Sequence, residues 1–155
     1  MPRLILFAPC QKVISDKFDG SLSMIGIIDG FTLFVEESAS IPEEAATKIS
    51  WVAVSVWNRQ DGDEGKTFEQ RMDIVKPNGD RPRTDKGTEF RMTEHSHEVV
   101  LFASAFPAGM ASEYKLILSV HEVGTDDWRD VAEYPIYATH QRQETANEQA
   151  QPNLG

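Results

Sequence analysis

The stretch from Val99 to Val120, VVLFASAFPAGMASEYKLILSV, constrains this chain more than any other. In its second half Tyr114, Leu116, Leu118 and Val120 fall on one face, while Lys115, Ser119 and His121 fall on the other. That is the period-2 pattern of a strand wet on one side. In its first half Val100, Phe102 and Phe106 alternate with Val99, Leu101 and Ala103, so both faces are apolar and the pattern predicts a central strand. Phe106-Pro107-Ala108-Gly109 sets a corner between the two. Antiparallel pairing of the halves would bring their margins, His95 and His97 on one side and His121 and Glu122 on the other, to one end of a sheet.

Similar segments recur along the chain, separated by Gly, Pro, Asn and Asp clusters, a rhythm of strands and turns. Leu4 to Ala8 is apolar on both faces and is expected to bend or end at Pro9. Leu22 to Ile28 follows, with Gly26 marking a bulge or a close backbone approach. Pro42 and Glu43-Glu44 in IPEEAATK suit a first turn, which predicts one short helix near 42–48. Strands are then expected from Ile49 to Trp57, around Phe68 to Ile74, around Phe90, and from Trp128 to Ala138. From His140 the composition becomes polar and aperiodic, which predicts one domain over 1–139 and a tail over 140–155. About eight strands with almost no helix define an all-β fold, a two-sheet antiparallel sandwich of immunoglobulin-like or C2-like kind, with a closed barrel as the alternative.

Composition narrows the function. Twenty-five acidic residues against fifteen basic ones give a net charge of −10, which disfavours nucleic acid and anionic membrane surfaces as partners. Lys76 to Lys86 is locally basic and reads as a solvated hairpin loop, with a phosphate or acidic-partner contact as the lesser alternative. The single cysteine, Cys10, allows no internal disulfide and no cysteine metal site, so a reducing, cytoplasmic setting is expected. Leu4 to Ala8 is too short for a signal-peptide core or a membrane span.

One resemblance rests on two landmarks, GSLSMIGIID over Gly20 to Asp29 and Phe106-Pro107 with Gly109 leading into the strand of Tyr114. With these the chain resembles a family of uncharacterised bacterial proteins, domains of unknown function that look like small β-sandwiches, over about Leu4 to Ala138. The resemblance implies a fold and carries no catalytic residues. Family members place the glycine a residue or so before the tyrosine. Here Met110-Ala111-Ser112-Glu113 intervene, which implies a looser or longer corner.

Candidate sites are few. His95 and His97, two apart on a strand, point to one side, and with His121 and Glu122 they form the nearest approach to a metal site. Asp61-Gly62-Asp63-Glu64-Gly65, with Asp126-Asp127, offers clustered oxygens to calcium but lacks the spacing of an EF-hand. No nucleophile elbow or phosphate loop is present, and no cofactor is expected. Trp51 and Trp57 lie on one face of a strand, about 20 Å apart, opposite Val52, Val54 and Val56. Exposed, the two rings would form a binding face; alternatively they pack across the sandwich core and the valines form a covered outer face. Leu4 to Ala8 would offer an open edge to a second copy or an extended peptide. The expectation is a non-catalytic binding module that meets a protein partner, or another copy of itself, through a sheet face or an edge. The alternative is a metal-assisted enzyme centred on His95, His97 and His121.

Overall fold

The structure, a computed structural model, describes residues 1–84 and 86–143. It contains β1 (Arg3–Ser15), β2 (Leu22–Ile27), β3 (Gly30–Glu36), β4 (Ala46–Thr47), β5 (Trp51–Asn58), β6 (Thr67–Val75), β7 (Thr88–Arg91), β8 (Ser96–Ala103), β9 (Phe106–Pro107), β10 (Glu113–Glu122) and β11 (Arg129–Gln143). One sheet has the order β2-β1-β5-β8, the other β3-β11-β10-β6-β7, and β4 pairs β9 in a short ladder. The fold is all-β and sandwich-like. Among the described residues no helix is long and apolar enough to cross a membrane.

Alternation decides what lies between the sheets. Phe31, Trp51, Phe106 and Tyr114 form one aromatic centre, with Phe31 stacked on Phe106 at 4.5 Å between ring centroids. Trp57, Phe68 and Phe90 form a second, with Trp57 stacked on Phe90 at 5.5 Å. Both tryptophans are buried, Trp51 at 1% and Trp57 at 0% exposure, so the expected aromatic binding face does not exist. Val52 and Val54 occupy the outer face instead, where they pack with Cys10 and are flanked by Val13, Leu22 and Met24 of the β1–β2 hairpin. Because β5 is buried on both faces, alternation alone did not distinguish inside from outside.

Four further expectations are corrected. The segment near 42–48 is not helical: a single turn closes from Ala45 N to the Pro42 carbonyl (3.0 Å), and Ala46–Thr47 then joins β9. So short a helix would not offset its nucleation cost, whereas β9 supplies ready backbone partners. Pro9 does not end β1, which runs through it in register with β5. Its carbonyl accepts Ile28 N (3.0 Å), so its nitrogen faces the same edge, where the β2 ladder begins only at Cys10 and no N–H is needed. The polar composition after His140 does not start a tail at once, since β11 continues to Gln143 in parallel register with β3. That ladder uses main-chain bonds, and Arg142 adds hydrogen bonds to the carbonyls of Glu37 (2.6 Å) and Ala39 (3.0 Å). The rest of the expected tail, 144–155, lies outside the described residues. Finally, β8 and β10 lie in different sheets and do not pair: β8 binds β5, while β10 binds β6 and β11.

The corner between β8 and β10 is closed by a hydrogen bond to Tyr114 itself. The Met110 N–H donates to the Tyr114 hydroxyl (3.1 Å), so the residues between glycine and tyrosine fold back over the ring that anchors them.

Candidate functional site

The histidines do not converge. His97, on β8, stacks on Phe90 at 5.4 Å, and His95 sits in the preceding turn, where its carbonyl accepts Arg59 N (2.9 Å). His121 lies on the outer face of the other sheet. Its Nδ1 donates to the Thr125 carbonyl (2.6 Å), its Nε2 meets Glu69 (3.0 Å) and its ring stacks on Trp128 at 4.0 Å, so both nitrogens are engaged. The hydrogen bond with His121 holds the Glu69 carboxyl below its ordinary range. Glu122 pairs with Lys66 (3.0 Å). Among the described residues no three His, Cys, Asp or Glu side chains are arranged to hold a metal ion. The calcium reading fails similarly: Asp63 is buried between the Met1 amino group (2.7 Å) and Gln60 N (3.1 Å), and Asp127 pairs with Arg129. Burial pushes the Cys10 thiol pKa up, away from the thiolate a nucleophile requires.

The outer face of the second sheet carries a self-neutralised charge network under the basic loop. Arg81 donates to Asp73 (2.9 Å), to both oxygens of Asp130 (2.7 and 2.9 Å) and to Ser119 (3.1 Å), while Arg71 lies over the Trp128 ring at 4.1 Å. The Arg81 hydrogen bond, then that of Ser119, draws the Asp130 carboxyl down from 3.8 to about 2. A depressed carboxyl favours the fold above its unfolded value and loses that contribution as pH falls. Stability is therefore expected to decline between pH 3.8 and about 2 in a part that Asp130→Asn removes. Asp130 is half exposed, so the effect is at most about 1 kcal/mol and shrinks with salt. Urea unfolding of both proteins across that pH range, with parallel slopes, would disprove it.

What remains unused is the edge of the first sheet. β8 pairs only with β5, and among the described residues neither a strand nor a loop hydrogen bond occupies its other side over 99–103. Sequence reading made this strand central because both of its faces are apolar, yet it stands at an edge. Natural edges are blunted by charge, proline or bulges. Val99–Ala103 has none of these, and Phe102 projects from the outer face at 85% exposure.

Two grooves flank this edge. On the inner side, a cleft of about 630 Å³ opens between the sheets, with Trp51, Met72, Ile74 and Leu101 forming its apolar part and Lys76, Arg83 and Lys86 at its mouth. On the outer side, a groove of about 600 Å³ lies among Val13, Leu22, Val52, Val100 and Phe102. Phe102, Val100 and Ala103 border both. The basic loop thus roofs part of the inner cleft. No sequence signal marked either groove, because each is made by strands distant in the chain. Leu4 to Ala8, the edge anticipated from sequence, pairs with β5 on one side and lies outside the β2 ladder on the other, and neither of these two grooves borders it.

No family model matches the chain, and no curated protein matches it.

Proposed function

We propose that the protein is a non-catalytic binding module that takes up an extended segment of a partner protein by strand addition to β8. In this reading it is an immunoglobulin-like or C2-like sandwich of a bacterial cytoplasm, akin to the uncharacterised family it resembles. One observation carries the proposal: a strand with the two-faced apolar pattern of a sheet centre stands unpaired at an edge, with a groove on each side. Strand addition uses main-chain hydrogen bonds for affinity and alternate side-chain pockets for specificity. Successive side chains of an added strand point to opposite faces, so one set enters the inner cleft and the next the outer groove. The five residues Val99–Ala103 span about 17 Å, so a seven-residue peptide covers them with about one residue over at each end. A second copy fits less well, since its own Val99, bound in its core, would be unavailable to fill a groove.

Selection from a displayed library of random seven-residue peptides tests the proposal. Enriched peptides are expected to be extended and β-branched, and to shift the amide resonances of 99–103. Methylating the peptide nitrogens that face β8 should weaken binding at least tenfold, whereas methylating those on the opposite edge should not. Equal loss from either edge, or resonance shifts elsewhere, would disprove it.

A further inference from the structure

We infer that the segment taken up by β8 is acidic, with glutamates entering the inner cleft and β-branched apolar residues entering the outer groove; this inference rests on the strand-addition reading. Lys76, Arg83 and Lys86 are among the residues that line the inner cleft, and no described Asp or Glu is. In a chain with 25 acidic and 15 basic residues, a cleft whose charged lining side chains, among the described residues, are cations runs against the net charge of −10 and selects for carboxylate. Lys76 reaches Asp80 only at 3.6 Å, on an exposed turn, and is the cation at the loop's start.

An independent observation lies deeper. Gln70, wholly buried, lines the same cleft. Its Oε1 accepts from Trp57 Nε1 (2.7 Å) and Ser55 Oγ (2.7 Å), which fixes the amide's orientation and leaves Nε2 as a buried donor with no partner. Buried donors left unpaired are costly, and a ligand acceptor relieves that cost. Met72, Ile74 and Leu101 offer apolar surface to a methylene stem before the carboxylate reaches a donor. Glutamate, with its longer stem, suits this arrangement better than aspartate. The outer groove has Val13, Leu22, Val52 and Phe102 and takes an apolar side chain. An added strand alternating glutamate with valine satisfies both faces at once.

The test uses capped, fluorescently labelled seven-residue peptides alternating valine with either glutamate or glutamine, measured by anisotropy against the full chain. The glutamate peptide is expected to bind at least tenfold more tightly at low salt, with the advantage falling in 0.5 M sodium chloride, roughly as screening dictates. The triple variant Lys76→Gln/Arg83→Gln/Lys86→Gln, altered only in its loop, should lose the advantage yet keep the glutamine peptide's affinity and the wild-type melting temperature. Equal affinity for the two peptides overturns the acidic preference while leaving strand addition standing. Binding by neither, with 99–103 amides unshifted, overturns strand addition itself. A concentration-dependent dimer that excludes both peptides assigns the edge to a second copy and overturns both readings.

Discussion

Replacing Trp57 by alanine is expected to lower the stability of the domain by about 4 kcal/mol, the range for deleting a large buried aromatic. Trp57 is fully buried, stacks on Phe90 and packs with Phe68 and Val99 in the second aromatic centre. Truncation leaves a cavity that strands of two sheets would have to close together. It also removes one of the two donors to Gln70 Oε1. Trp57→Phe separates these effects: it retains most of the ring volume, and Ser55 still bonds Gln70, so a loss of about 1 kcal/mol is expected. For a domain of this size each kcal/mol moves the melting temperature by about 2–4 °C, so the alanine variant should melt about 8–16 °C below wild type. Thermal and urea unfolding measure both, and an alanine variant within about 1 kcal/mol of wild type would contradict the packing described.

Gly109→Ala is expected to cost about 3 kcal/mol, although the glycine lies in a loop. A methyl at this position would fall on the backbone carbonyls of Pro42 and Glu43. Neither segment can retreat cheaply. Ala108 N donates to the Ala45 carbonyl (2.8 Å), β4 pairs β9 alongside, and Phe106 and Ala108 are wholly buried. The variant must therefore break the short ladder or displace the corner from the core. A loss below about 0.5 kcal/mol by urea unfolding would show that the two segments do not approach so closely.

These two residues mark what was legible in the sequence. Period-2 alternation around Tyr114, Phe68 and Phe90 identified half-buried strands and so the all-β architecture. It did not settle β5, whose tryptophans and valines are buried on opposite faces. Gly26 read as a bulge or a close backbone approach; it has a φ of 67°, and what a Cβ there would meet, at 2.7 Å, is the side chain of Gln11. Gly109 read only as part of a corner, because the carbonyls it touches lie far back in the chain. The β8 edge was misread for a related reason. Apolarity on both faces reports what a strand's side chains can meet, whereas its place in a sheet depends on which other strands claim its hydrogen bonds. His95, His97 and His121 failed as a set because the expected pairing of β8 with β10 does not form.

The parallel ladder between β3 and β11 also governs when folding can finish. Thr32 and Thr139, whose hydroxyls bond at 3.0 Å, stand 107 residues apart. The hairpins β1–β2, β6–β7 and β10–β11 close locally, but β3 meets its ladder partner only after nearly every described residue has left the ribosome. Such high contact order makes closure slow. Until then the nascent chain carries a second unpaired strand, with Phe34 among its residues, and it is during synthesis that this molecule is most exposed to aggregation.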